Sequence, residues 1–521
     1  MTRQYIFRAI LPFLAVLLWL PSCQEALTEK AETFYSEEQV FSSEEGIESA
    51  VNGMYSAFFD PGYHGSSWHG LLMPLSGKLR SNQAPNIDAV SLNTTSINTW
   101  LTRLWPAMYA TVNTANIIIT NLESTPADFD NKETALGQAY FIRALTYFDL
   151  VRLFGGVPIR LKPTTYEDLH LPRATKQEVY DLVIADLERA KALLPAPGTY
   201  RSERPTPLTA QAYLAKVYLT LASEAGNDMA LWTLARNTAM EVFNSQLYDL
   251  TPTYAELFEP GNENTVESIF EIQYGHTGGI RNTDMPRMYT PQNSMFVPAN
   301  TNTFGWIRPN KETFDDHVAR YPDDPRIEAM YLYGSYVRNN GTTQTIYPTR
   351  TTGAQGYPFI RKWFDPTYNG TTSSRNFILF RYADLLLMLA EIENELNGPD
   401  AAYPYVNRVL ARARDIDGDG MSDSIEPADW SGMTQDEFRQ RIMKERFYEL
   451  LGEVHEWFDT RRRGYDYLLN EVIIPHNNHP NFDPSTDFVY PDNTKNMLLP
   501  IPLDEISGNQ ALGPDDQNPG Y

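Results

Sequence analysis

Apolar residues recur at intervals of three and four positions along most of the chain, which is the period of an amphipathic α-helix. In the stretch 177–194, Val179, Leu182 and Val183 begin such a stripe, and a Pro-Ala-Pro-Gly segment ends it. The helices that this pattern predicts cover residues 45–58, 103–122, 133–154, 177–194, 208–222, 229–244, 380–397, 401–413 and 435–460.

Several of these helices follow one another as neighbouring pairs. The predicted pairs are 133–154 with 177–194, 208–222 with 229–244, and 380–397 with 401–413. Helix–turn–helix pairs stacked side by side are the arrangement of tetratricopeptide (TPR) proteins. We therefore predict a mostly α fold, in which a TPR-like scaffold of helical pairs carries an irregular, loop-rich lobe.

That lobe covers residues 252–376, which are rich in Gly, Asn, Thr, Pro and Tyr and show little helical period. A loop-rich stretch of this length inside a compact protein usually carries function. We interpret it as a ligand-binding lobe. It separates an N-terminal helical region, residues 36–251, from a C-terminal helical region, residues 377–521.

The first residues have the pattern of an export signal. A twelve-residue apolar run that ends at Leu20 follows two arginines, and it is too short to span a bilayer, which takes about 20 residues. The run leads into Leu-Pro-Ser-Cys, and this Cys23 is the only cysteine of the chain. The order resembles a bacterial lipobox, so we predict a signal peptide over 1–22, acylation of Cys23 (as with palmitate) and a tether over 23–35. A plain secretory signal is the alternative.

Charge and composition exclude several classes of protein. The chain has 42 Lys and Arg against 66 Asp and Glu, a net charge of −24, whereas nucleic-acid binding needs clustered cations. We therefore expect no nucleic-acid partner. A single cysteine excludes disulfides within the chain and thiolate zinc sites. The common nucleotide-binding, hydrolase and metalloprotease motifs are absent from the sequence.

Five segments, in order along the chain, resemble the SusD/RagB family of outer-membrane nutrient-binding lipoproteins. One ends in a Gly-Gly-Val-Pro turn, another begins Arg-Tyr-Ala-Asp, and the last ends Gln-Asn-Pro-Gly-Tyr. The segments are Gln138–Arg160, Thr206–Leu221, Arg381–Glu395, Lys444–Arg463 and Leu499–Tyr521.

This resemblance implies a mostly helical, SusD-like fold with a TPR-like scaffold and no catalysis. It implies a lipid-anchored protein of the outer membrane that captures a glycan or oligosaccharide at the cell surface and serves a TonB-dependent SusC-like transporter. Two alternatives stay open. One is a glycan-cleaving enzyme, which needs two carboxylates facing one sugar, and the other is a TPR-type scaffold that binds only protein.

Sugar capture needs flat aromatic faces beside groups that hydrogen-bond to hydroxyls. Aromatic residues on loops are therefore the candidates, and their positions relative to the family segments resemble the family's aromatic ligand-binding arc. The alternative is that each ring packs in the hydrophobic core, where most tryptophans lie. The predicted ligand-binding residues are Trp68, Asn98, Trp100, Tyr289, Trp306 and Trp363.

Residues 415–426, DIDGDGMSDSIE, fit the calcium loop of EF-hand type. Calcium takes six to eight oxygen ligands, and this spacing directs alternate side chains inward. We predict a structural calcium ion, with a solvated acidic loop as the alternative. The predicted ligands are the side chains of Asp415, Asp417, Asp419, Asp423 and Glu426 and the backbone carbonyl of Met421.

Overall fold

A computed structural model describes residues 36–83, 87–226, 228–275, 283–370 and 373–521. The predicted signal peptide, Cys23 and the tether lie outside the described residues. Within them, no helix is both long enough and apolar enough to cross a membrane.

About half of the described chain is helical. The α-helices are α1 (Glu37–Val40), α2 (Glu44–Phe58), α3 (Met73–Leu75), α4 (Ile87–Val90), α5 (Leu101–Ser124), α6 (Lys132–Phe154), α7 (Lys176–Leu193), α8 (Pro207–Ala225), α9 (Met229–Asn244), α10 (Met285–Tyr289), α11 (Lys311–Arg320), α12 (Pro325–Met330), α13 (Tyr382–Asn397), α14 (Pro399–Arg414), α15 (Gln435–Leu450), α16 (Glu456–Arg462), α17 (Tyr465–Leu468), α18 (Ile474–Asn477) and α19 (Leu503–Gly508). Single turns of π- or 3₁₀-helix lie at Trp68–Leu72, Ala255–Phe258, Leu469–Ile473, Lys495–Met497 and Pro514–Asp516.

Every stretch that the sequence predicts as helix is helical over most of its length. Residues 380 and 381, predicted as helix, are instead the end of a strand. One difference is larger. The predicted helix 435–460 is two helices, α15 and α16, separated by a break at 451–455. Gly452 lies in this break with φ at +86°. A Cβ atom there would lie 2.9 Å from the side chain of Ile360, so both the turn and the close approach require glycine.

The helices form an array in which each packs against the next. The predicted pairs are confirmed, because α6 packs on α7, α8 on α9 and α13 on α14. Contacts of α5 with α6, of α7 with α8 and of α9 with α13 join the pairs into one continuous layer. Helix α6 is buried over almost its whole length, because it has helices on both sides.

Within the described residues, eight short strands form four two-stranded antiparallel sheets. The strands are β1 (Leu79–Ser81), β2 (Ser268–Ile272), β3 (Ile307–Pro309), β4 (Tyr331–Leu332), β5 (Ser335–Val337), β6 (Thr343–Thr345), β7 (Phe359–Ile360) and β8 (Phe377–Arg381). The pairs are β1 with β3, β2 with β8, β4 with β7, and β5 with β6. The β1–β3 pair ties the N-terminal helical region to the lobe 252–376.

The lobe contains more regular structure than its composition indicates. Helix α11 lies within it, and its buried residues include only one large apolar side chain, Phe314, beside Lys311, Thr313 and His317. A helix held mainly by polar buried groups gives a weak apolar period, so sequence periodicity does not reveal it.

A buried ion network holds the lobe, β8 and α15 together. The Arg381 guanidinium lies 2.7 Å from a carboxylate oxygen of Glu267 and 2.7 Å from one of Glu449. Glu449 also accepts from Arg326 at 2.9 Å and from Arg412. These side chains are fully or almost fully buried, so the charges in two of the family-like segments are structural.

Candidate ligand-binding site

Trp306 is the predicted ligand-binding residue that stays half-exposed. Its indole stacks on the Phe304 ring with a centroid separation of 4.8 Å and an interplanar angle of 5°. The guanidinium of Arg287 lies 4.5 Å from the centroid of the Phe304 ring. Phe304 is itself partly exposed, so the two stacked rings together present aromatic surface to solvent.

The turn between these two rings is fixed by its backbone. Gly305 has φ at +54°, and a Cβ atom there would lie 2.5 Å from the Phe359 ring. The N–H groups of Phe304 and Gly305 both donate to the carbonyl of Arg287, at 3.0 and 3.4 Å. The stacked pair is therefore held in place before any ligand arrives.

A cavity of about 370 Å³ adjoins this turn, a volume within the range of about 300–1,000 Å³ of small-molecule sites. The backbone N–H of Asn82, a lining residue, donates to the carbonyl of Trp306 at 3.3 Å. The lining includes Arg80, Asn82, Arg308, Tyr357, Thr486 and Asp487.

Tyr357 lines this cavity, but its ring is buried, with 1% of its surface exposed. The guanidinium of Arg80 lies 3.8 Å from the centroid of its ring. The Tyr357 hydroxyl lies 2.8 Å from that of Thr486 and donates to Asp487. Arg80 in turn donates to the Thr486 carbonyl at 3.0 Å. The cavity thus presents charged and hydrogen-bonding groups in a fixed arrangement, while the Tyr357 ring packs against Arg80 and Lys311.

Three predicted ligand-binding residues are instead core residues. Trp68 is 2% exposed and lies against Tyr63 and His64. Tyr289 is fully buried, with its hydroxyl 2.9 Å from a ring nitrogen of His69. Trp363 is 1% exposed. Rings covered on both faces cannot stack on a sugar, so the predictions for Trp68, Tyr289 and Trp363 are wrong.

Asn98 and Trp100 have structural roles at the start of α5. The Asn98 side-chain oxygen accepts from the N–H groups of Trp100 and Leu101, at 2.9 and 3.1 Å, which caps the helix. Its amide nitrogen donates to Asp88 at 2.6 Å. Trp100 is 9% exposed, with its ring packed against Gly70. The ligand-binding prediction is therefore wrong for these two residues as well.

Sequence patterns missed several residues of this site. Phe304 is separated from Trp306 by one glycine, and an aromatic–Gly–aromatic triplet in a loop is a usable local signal. Arg80, Asn82 and Tyr357 have no such signal. They reach the site through the β1–β3 pairing and the packing of distant loops.

The sequence and the fold both match known proteins. A model described as "SusD family" matches residues 266–521, and one described as "Starch-binding associating with outer membrane" matches residues 29–219. SusD-like protein P2 from Formosa agariphila is 30% identical over 532 residues, which cover 98% of this chain and 99% of the relative. The chain belongs to the SusD/RagB family.

Solved SusD-like structures share the whole fold. A SusD homolog from Bacteroides thetaiotaomicron superposes with a TM-score of 0.76 at 21% identity, covering 94% of this chain and 99% of that one. A structure described as a laminarin-binding SusD-like protein gives a TM-score of 0.68 at 21% identity, covering 92% and 100%. The predicted mostly α, TPR-like SusD fold is confirmed.

The acidic loop of this SusD-family protein brings together three of its predicted calcium ligands. Carboxylate oxygens of Asp415, Asp417 and Asp419 lie within 4.8 Å of one another. Oxygens that coordinate one calcium ion at about 2.3–2.6 Å are separated by distances of this size. These three residues therefore fit a calcium ion.

The other predicted ligands lie outside that group. Asp423 accepts from the N–H of Ile416 at 2.7 Å, and Glu426 accepts from the N–H of Ala428 at 3.0 Å. Met421, whose carbonyl is a predicted ligand, is exposed and donates its N–H to Asp419 at 2.8 Å. A full EF-hand ligand set would require Asp423 and Glu426 to turn towards the three aspartates.

A larger cleft of about 560 Å³ lies between α11 and α15. Three of its charged groups pair with one another, since Lys444 lies 3.0 Å from Asp316 and 3.6 Å from Glu471. Tyr448, the aromatic residue in its described lining, is buried, donates to Asp316 at 2.8 Å and stacks on His317. This cleft has no free aromatic face for a sugar ring.

Proposed function

We propose that this SusD-family protein is a non-catalytic, glycan-binding lipoprotein of the outer membrane. It captures an oligosaccharide on the Phe304–Trp306 pair and in the adjoining cavity. The observation that carries this proposal is the partly exposed Trp306, which stacks on Phe304 and whose backbone is hydrogen-bonded to Asn82 of a polar cavity. Aromatic faces flanked by hydrogen-bonding groups are the chemistry that pyranose rings require.

The comparisons support the same function. One matched family model is described as starch-binding and associating with the outer membrane. A solved structure with the same fold is described as laminarin-binding. Acylation of Cys23 and delivery of the glycan to a TonB-dependent SusC-like transporter complete the proposal, on the strength of the family resemblance.

The small number of acids in the cavity favours glycan binding over glycan cleavage. Glycoside hydrolysis uses two carboxyl groups about 5–9.5 Å apart across the sugar. Among the described lining residues, Asp487 is the one acid. Its carboxylate accepts from Lys311 at 2.9 Å and from the Tyr357 hydroxyl, so it is engaged within the protein.

A glycan panel tests this function. Residues 24–521, purified without the signal peptide and Cys23, are run through gels that each contain one polysaccharide. We expect one or more polysaccharides to retard the protein without new reducing ends appearing. New reducing ends would support the glycan-cleaving enzyme. An absence of retardation by every glycan would support the protein-binding scaffold.

We also propose that the loop 415–426 binds a structural calcium ion through Asp415, Asp417 and Asp419. A ligand that binds only the folded state stabilises it, so dialysis against a calcium chelator is expected to lower the melting temperature. Adding calcium back should restore it. Asp417→Ala provides the matched control, since it removes a ligand oxygen that Asn could still supply at this position of the loop, and this variant should respond much less to the chelator. An identical melting temperature with calcium and with chelator would contradict the proposal.

A further inference from the structure

Two arginines face each other across the β1–β3 pair at the cavity beside Trp306. Arg80 and Arg308 are directly opposed in the strand register. Both side chains are buried and both line the cavity. The strand pairing therefore places two cations at one site, in a chain whose net charge is −24.

Among its described lining residues, the cavity has one acid for these two cations. Its one lining acid, Asp487, accepts from Lys311 at 2.9 Å and from the Tyr357 hydroxyl, and lies 3.5 Å from Arg80. Asp483, in the same loop, accepts hydrogen bonds from Gly353, Ser485 and Thr486. The Asp487 carboxylate therefore lies closer to the Lys311 ammonium group than to the Arg80 guanidinium, and it contacts both.

Arg308 is the less compensated of the two arginines. Its Nε and Nη1 groups donate to the carbonyls of Gly305 and Ala354, at 2.7 and 2.6 Å. No carboxylate of the described residues forms an ion pair with it. Burial, together with the charge of Arg80, lowers the pKa of Arg308 to about 9. Its surroundings therefore disfavour the cation, and an anion in the cavity would relieve this.

Both guanidinium groups are held in fixed orientations by aromatic rings. Arg80 lies 3.8 Å from the Tyr357 ring centroid, and Arg308 lies 4.1 Å from that of Phe359. A planar, oriented guanidinium suits two-point binding of a carboxylate or another oxyanion. A neutral sugar would offer only hydroxyl groups to these donors.

We propose that this cavity is a subsite for an anionic group of the glycan, a carboxylate or a sulfate ester, held by Arg80 and Arg308. The inference rests on the proposed function, because the Phe304–Trp306 pair would bind the sugar ring next to that group. It narrows the ligand class to acidic oligosaccharides. The backbone N–H of Asn82, a lining residue, donates to the backbone carbonyl of Trp306, so the aromatic pair and the cavity adjoin through the main chain.

Isothermal titration with three oligosaccharides of equal length tests this proposal. One carries uronic-acid carboxylates, one carries sulfate esters, and one is neutral. We expect an acidic oligosaccharide to bind at least ten times more tightly than the neutral one, with an affinity that falls as salt is added. The first two titrations distinguish the carboxylate from the sulfate as the bound group.

The variants Arg308→Gln and Arg80→Gln are expected to lose at least tenfold in affinity for the acidic ligand and less than twofold for a neutral one. Arg308→Lys, which keeps the charge, should recover part of the loss. Arg189→Gln, on the exposed surface of α7, is the matched control and should bind as wild type. Melting temperatures show whether each variant is folded.

Two results would overturn the anionic subsite while leaving the proposed function standing. In one, neutral and acidic ligands bind equally well. In the other, folded Arg308→Gln and Arg80→Gln keep wild-type affinity for the acidic ligand. Failure of the wild-type protein to bind any of the three ligands, or any glycan of the panel, would count against the proposed function and the subsite together.

Discussion

Glu449→Ala is expected to lower the free energy of unfolding by about 3–5 kcal/mol, the usual cost of breaking a buried ion pair from one side. The Glu449 carboxylate contacts Arg381 at 2.7 Å, Arg326 at 2.9 Å, and Arg412. Burial alone would raise the pKa of Glu449, but these three arginines hold it far below its usual range. Removing the carboxylate leaves their buried charges with fewer partners.

Urea unfolding, followed by circular dichroism, measures this loss. Glu241→Ala is the matched control, because it makes the same substitution on the exposed face of α9 and should change stability by no more than about 0.5 kcal/mol. If Glu449→Ala is no less stable than Glu241→Ala, the ion network contributes little to holding the lobe on the helical scaffold.

Trp363→Ala is expected to cost about 3–5 kcal/mol of stability, as for other large aromatic residues removed from a core. Trp363 lies between Phe258 and Phe377, with ring centroids at 5.7 and 4.9 Å. Its indole N–H donates to the carbonyl of Gly452 at 2.8 Å. Truncation would open a cavity and leave that buried carbonyl without its donor.

The measurement is urea unfolding combined with glycan affinity under conditions in which the variant is folded. We expect a large drop in stability and an affinity close to that of wild type. Trp363→Phe should recover part of the lost stability. If the variant instead unfolds like wild type but no longer binds glycan, Trp363 is a ligand-binding residue after all.

The helical scaffold could be predicted from the sequence because its signal is local. An apolar stripe every three or four residues marks each helix, and short connections bring consecutive helices together. The exception was the break near Gly452, where apolar residues continue through a turn. The spacing of apolar residues does not reveal the turn that Gly452 permits.

The candidate site could be predicted only in part, because burial in loops has no period. Trp68, Trp363 and Trp306 all lie in Gly-rich or irregular segments, and only the tertiary packing separates the first two from the third. The cavity depends on the pairing of Arg80 with Arg308, which are far apart in the chain. Neither strand has a sequence pattern that predicts which strand it pairs with.

The loop 415–426 represents the opposite case. Its predicted calcium ligands lie close together in the chain, so the sequence could predict which side chains meet. The structure brings Asp415, Asp417 and Asp419 together, and all five predicted carboxylate ligands accept backbone hydrogen bonds from the loop. The local motif therefore indicates the first three members of the cluster, while Asp423 and Glu426 lie outside it.

The most direct test of the account is the affinity of Trp306→Ala for the glycan that retards the wild-type protein. We expect a loss of more than about 1 kcal/mol, or at least fivefold, with an unchanged melting temperature because the side chain is only half-buried. Tyr166→Ala, which removes a 92% exposed ring between α6 and α7, should bind as wild type. Wild-type affinity in Trp306→Ala, or a large loss of stability, would contradict the account.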